Sequence, residues 1–151
     1  MRYRVGLDTN VLFSGLYFGG NPGEIIKMVE NDECVLVLPE YVWNELRMVA
    51  ERKGVDIAPV ELLQKLGNVK TMLDSSYFKQ ENFALAKELV RDEKDRPVFA
   101  FELHALRRNL IDYLVSGDGD LLTKEVRTAI NGRVVAPAEF LEIVERTNPS
   151  V

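Results

Sequence analysis

Short apolar runs alternate with amphipathic stretches along the chain, and that rhythm predicts its elements. Arg4 to Asp8 reads as a buried strand that ends in the turn-prone Asp8-Thr9-Asn10. Val11 to Phe18 follows as a short helix, stopped at Gly19-Gly20-Asn21-Pro22. From Pro22 to Glu30, Ile25, Ile26 and Val29 fall at helical spacing. Cys34 to Leu38 is continuously apolar, as expected of a strand covered on both faces. Pro39 suits the first turn of a helix reaching about Lys53. Val60, Leu63, Leu66 and Val69 predict a helix from about Pro59 to Leu73.

The segment from Tyr77 to Phe83 is ambiguous, with room for a short strand. A helix through Phe83, Leu85, Ala86 and Leu89 leads to the charged loop Arg91 to Arg96. Pro97 opens another helix, with Val98, Phe101, Leu103 and Leu106 facing inward. Ile111 to Val115 is the next strand, followed by Ser116-Gly117-Asp118-Gly119-Asp120. A helix from Leu121 to Ile130 stops at Asn131-Gly132. Arg133 to Val135 is a last short strand, and Pro137 to Glu145 a closing helix. Strands alternating with helices imply an α/β domain built on a parallel sheet covered on both faces. The pattern holds four or five strands and six or seven helices, with no dividing linker, so residues 1–151 are expected to form one domain.

Composition narrows the class. Apolar residues make up 46% of the 151, enough for a sizeable core. Cys34 is the one cysteine, so no disulfide forms within the chain. No apolar run is long enough to cross a bilayer. Asp8 and Asn10 interrupt the first apolar stretch, which makes it a poor signal peptide. A cytoplasmic protein without a membrane partner is the expectation. The net charge of −5 argues against a generic polyanion binder.

The acids fall in a pattern. In an open parallel sheet, sites form outside the carboxyl ends of strands. Asp8 sits there after the first strand, and Asp118 and Asp120 after the Ile111–Val115 strand. Asp95 precedes the Pro97 helix, and Glu45 lies within two turns of Pro39. At 100° per residue Glu45 borders the arc of Val42, Trp43, Leu46, Val49 and Ala50. Each acid has a plainer role: Asp8 and Asp95 as helix caps, Glu45 as a surface charge, Asp118 and Asp120 as turn formers. Capping does not explain why they map to one sheet edge. Two carboxylates about 4 Å apart repel by roughly 4 kcal/mol at an effective dielectric near 20. A divalent ion relieves that repulsion, and all-oxygen ligands favour Mg²⁺ or Mn²⁺ over zinc. Such ions suit phosphoryl chemistry.

Leu7–Leu12 (LDTNVL), the Glu45 helix after VLPEYV, Asp92–Leu103 (DEKDRPVFAFEL) and Tyr113–Leu122 (YLVSGDGDLL) resemble, in order, the motifs of PIN-domain nucleases. The chain is most similar to small prokaryotic PIN proteins of the VapC type, toxins of type II toxin–antitoxin modules. That resemblance implies a three-layer α/β/α sandwich and Mg²⁺- or Mn²⁺-dependent cleavage of RNA. It implies a metal set of Asp8, Glu45, Asp95, Asp118 and the more variable Asp120, of which the first four are catalytic. Asp92 is also available, but Asp95 directly precedes the Arg-Pro helix start. Asn10 and Ser116 match polar supporting positions. A homodimer and a cognate antitoxin that blocks the acidic pocket are further implications.

Lys94, Arg96, Arg47 and Lys124 are placed to meet phosphates, whereas Arg107 and Arg108 end a helix at the opposite edge. His104 reads as a satisfied or surface histidine rather than a general base, and Cys34 and Trp43 read as core residues. Two other functions compete: a catalytically silent PIN-like scaffold that binds RNA or protein, and a phosphatase-like α/β enzyme using Asp8. The second lacks an aspartate two residues after Asp8.

Overall fold

The computed structural model describes residues 2–72, 87–90, 93, 96–119 and 121–147, excluding the side chains of residues 97–99, 102, 107 and 129. Among the described residues, five strands form one wholly parallel sheet: β1 (Tyr3–Leu7), β2 (Cys34–Pro39), β3 (Val69–Met72), β4 (Tyr113–Val115) and β5 (Val134–Val135). Their order is β3-β2-β1-β4-β5. The described helices are α1 (Thr9–Tyr17), α2 (Gly20–Glu30), α3 (Glu40–Arg52), α4 (Ala58–Gln64), α5 (Arg96–Arg107), α6 (Lys124–Ala129) and α7 (Pro137–Thr147).

Side-chain alternation along the strands divides the core in two. Cys34, Leu36 and Leu38 of β2 join Val5 and Leu7 of β1 on one face, where α1, α2, α3, α4 and α7 pack. Val35 and Val37 of β2 point the other way, toward Leu114, Val134 and the buried residues of α5 and α6. Helices therefore cover both faces, giving an α/β sandwich with a central parallel sheet. Every residue of β2 is buried, which explains its unbroken apolar run. Trp43 and Cys34 are buried, in line with their sequence reading, and of the two placements open to His104 the structure shows the buried one. Burial also pushes the Cys34 thiol up to about 11. No described helix is long and apolar enough to cross a membrane.

The structure corrects several boundaries. The helix expected from Pro59 to Leu73 ends at Gln64, and Val69–Met72 is a strand instead. Asn68 makes the break: its side-chain amide donates to the carbonyls of Val29 and Cys34 at 2.7 and 2.8 Å. Its own carbonyl accepts from Leu36 at 3.0 Å, so β3 starts in register beside β2. Pro39 ends β2 rather than opening α3. α6 begins at Lys124, not Leu121, because the Thr123 hydroxyl caps it through the Val126 amide at 3.2 Å. Asn131 and Gly132 stop it in the left-handed region, at φ 55° and 72°. The expected elements between Tyr77 and Ala86, and most of the Arg91–Arg96 loop, lie outside the described residues.

Candidate active site

The strand order reverses at the seam between β1 and β4, where parallel α/β sheets build their sites. Leu7 pairs with Val115 across that seam. One step on, the same register sets Asp8 beside Ser116. The Asp8 amide donates to the Val115 carbonyl at 3.2 Å, and the Ser116 amide to Val135 at 3.0 Å. Both residues are thus fixed by backbone bonds before their side chains are considered.

Asp8 is buried, 7% exposed, and Ser116 is fully buried. Asp8 caps α1: Oδ1 accepts from the Val11 amide at 2.8 Å. The capping reading of Asp8 is therefore right as far as it goes. Oδ2 is engaged elsewhere, accepting from the Ser116 hydroxyl. That hydroxyl in turn accepts from the Asp118 amide at 3.0 Å, so its proton is left to point at Asp8. Burial raises the Asp8 pKa above its ordinary value. The hydrogen bonds from Ser116, Val11 and the Gly117 amide pull it down, and the neighbouring Asp118 charge pushes it up again. Asp8 is a carboxylate held in place at an electrostatic cost that a nearby cation would offset.

The remaining expected residues divide into three groups. Asp118 is half-buried and close enough to act on Asp8 electrostatically. Glu45 is exposed on the second turn of α3, and Asn10 is exposed on the first turn of α1. Asp92, Lys94, Asp95 and Asp120 lie outside the described residues. Among the described residues, no three His, Cys, Asp or Glu side chains lie close enough together to hold a metal ion. The described donors, Asp8 and Asp118, still suit one ion type. Hard, well-hydrated cations such as Mg²⁺ take one or two carboxylates and keep several waters. With three of its lone-pair sites taken by Val11, Ser116 and Gly117, the Asp8 carboxylate retains one for a ligand.

The cations are less uniform than their sequence positions suggested. Arg47 is half-buried and hydrogen-bonded to Gln64 of α4, which ties it to the protein rather than leaving it for a phosphate. Arg96 donates through Nε to the Val90 carbonyl at 2.9 Å and sits 3.7 Å from Glu93. Lys124 is exposed at the start of α6. Arg108 follows α5, whose end returns to the amino edge of the sheet, where Arg4 pairs with Asp112 at 3.0 Å. That agrees with the expected remoteness of Arg108 from the acids.

Sequence reasoning did not find the Val11 and Gly117 amides as partners of Asp8. The Val11 amide was legible in principle, because an aspartate just before a helix caps the amide three residues on. No family model matches the chain, and a search of curated proteins finds no match to it.

Proposed function

We propose that the chain is a divalent-metal-dependent endoribonuclease of the PIN type, hydrolysing RNA phosphodiester bonds. The observation that carries the reading is the buried Asp8 carboxylate at the strand-order reversal, bonded to Ser116 and facing the Asp118 charge. A lone capping aspartate has no need of burial, a second hydrogen-bond donor or a neighbouring acid. In this reading Asp8, Glu45, Asp95 and Asp118, with Asp120, hold Mg²⁺ or Mn²⁺. The bound ion supplies a water of lowered pKa and charge neutralisation at the scissile phosphate.

The chain's own residues do the rest. Asp8 is oriented at both oxygens, so it needs no rearrangement to act as a ligand. The Ser116 hydroxyl bond works against burial by favouring the charged, accepting form of the carboxylate. Burial of the pair keeps bulk water from competing for the Asp8 oxygens.

A phosphatase-like role for Asp8 fits less well. A nucleophilic carboxylate needs an unhindered oxygen, and both oxygens of Asp8 are engaged. A silent PIN-like scaffold that binds RNA or protein is the second reading, favoured by the expected ligand Glu45 being exposed on α3.

Incubation with mixed RNA in Mn²⁺ or EDTA tests the assignment, beside Asp8→Asn and Asp118→Asn. Cleavage in Mn²⁺ that disappears in EDTA and in both variants is the expected result. Cleavage that persists in the variants rejects the carboxylate mechanism, and no cleavage by the wild type favours the scaffold.

A further inference from the structure

The turn after α6 is built on Asn131-Gly132, and nowhere else in the chain does a glycine follow an asparagine. That pairing has a chemistry of its own. A backbone nitrogen can attack the side-chain amide of the asparagine before it, and a glycine leaves that approach unhindered because it has no side chain. Both residues are exposed to water, and the Asn131 side chain has no hydrogen bond to a described residue.

The backbone of the turn opposes the attack in two ways. The Gly132 amide donates to the Arg127 carbonyl at 2.7 Å, and the nitrogen must lose that same proton before it can attack. Asn131 also sits in the left-handed region, at φ 55°. In that region ψ is about +47°. The Gly132 nitrogen then stands roughly opposite Cβ across the Cα–C bond, whereas closing a ring onto Cγ needs the two on the same side. Buried Ile130 and Val134 anchor the chain before and after the turn.

We propose that Asn131 is a deamidation site, held unreactive by the closed end of α6 and released when that helix opens. The Gly132 nitrogen gives up its proton and bonds to Asn131 Cγ. The Cγ–Nδ2 bond breaks, and Nδ2 leaves with that proton as ammonia. Water then opens the cyclic imide and returns a proton to the nitrogen. Opening at Cγ gives aspartate, and opening at the main-chain carbonyl gives isoaspartate. The isoaspartate backbone runs through Cβ and Cγ, so it is longer than before. That extra length falls where β5 starts, next to the Arg133 carbonyl that accepts from the Leu114 amide at 2.9 Å. Either product also puts a negative charge at a helix C-terminus, where the helix dipole disfavours it. The six residues of α6 are too few to stay helical in part, so the Thr123 cap at its start protects Asn131 at its end. The proposal does not depend on the nuclease reading.

Peptide-resolved mass spectrometry of the full chain, aged at mildly alkaline pH, follows conversion at each asparagine. The folded chain is expected to convert Asn131 about tenfold or more slowly than the same chain unfolded in guanidinium. Thr123→Ala removes the cap and is expected to speed conversion in the folded chain roughly 2–30-fold, with no change in guanidinium. The melting temperature of the wild type should fall as conversion proceeds. Asn131→Gly keeps the positive φ and has no side-chain amide to lose, so its melting temperature should hold through the same ageing. Equal rates in the folded and unfolded wild type overturn the proposal, as does an unchanged folded rate in Thr123→Ala. Faster conversion of another asparagine in the unfolded chain also overturns it.

Discussion

Ser116 gives its hydroxyl proton to Oδ2 of Asp8 across a sequence separation of 108 residues. The bond exists because β1 and β4 are neighbours in parallel register, with Leu7 opposite Val115. It also stitches together the two segments that contribute the central acids, since the same hydroxyl accepts from the Asp118 amide.

Removing that donor leaves a buried carboxylate oxygen without its partner. Ser116→Ala is expected to lower stability at neutral pH by about 1–3 kcal/mol. It should also weaken Mn²⁺ binding about 10–100-fold, as loss of a residue that orients a ligand does. Chemical denaturation and a metal titration read the two effects. The same substitution in an Asp8→Asn background should cost much less, because the buried charge is gone. Equal costs in both backgrounds would show that the Ser116–Asp8 bond is not what matters.

Two carboxylates predict opposite pH behaviour in the metal-free protein. The folded-state pKa of Asp8 is raised, so the native chain binds its proton more tightly than the unfolded chain does. Its contribution to stability falls as pH rises from the unfolded pKa through the folded one. Asp8→Asn should remove that fall and leave the protein folded, with a melting temperature at neutral pH no lower than the wild type's. Glu139 is lowered, first by the Arg127 guanidinium and then by the Ala136 amide. Its contribution is present above the unfolded pKa and lost as pH drops through the folded one. Glu139→Gln should therefore flatten the acid limb of the stability curve. Thermal melts in EDTA from acid to neutral pH check both. A steeper acid limb in Glu139→Gln contradicts the assignment.

Gly15 marks the closest approach of α1 to α2. A Cβ there would stand 2.7 Å from Ile26 Cγ1 and 2.8 Å from the Pro22 carbonyl oxygen. Backbone cannot yield as a side-chain tip can, so Gly15→Ala must push the helices apart. The expected loss is about 1–3 kcal/mol. Gly67→Ala, where an added Cβ meets nothing within 4 Å, should change the denaturation midpoint little. Equal stability of the two variants would mean that the α1–α2 contact relaxes without cost.

Much of the architecture follows from neighbours in the chain. The runs of β2 and β4, and the Val5–Leu7 end of β1, are legible because burial on both faces of a sheet demands apolar residues. Asp8, Ser116 and Asp118 are legible as strand-end residues for the same local reason. β3 is not, because Val69–Met72 is an edge strand with two exposed residues, and Val69 continues the helical spacing of Val60, Leu63 and Leu66. What joins it to the sheet is Asn68, bonded to carbonyls 39 and 34 residues away. The exposure of Glu45 and the capture of Arg47 by Gln64 depend likewise on how α3 and α4 pack. Local pattern could make Asp8 a cap. Only the pairing of β1 with β4, set by side chains packing on both sheet faces at once, could make it the partner of Ser116.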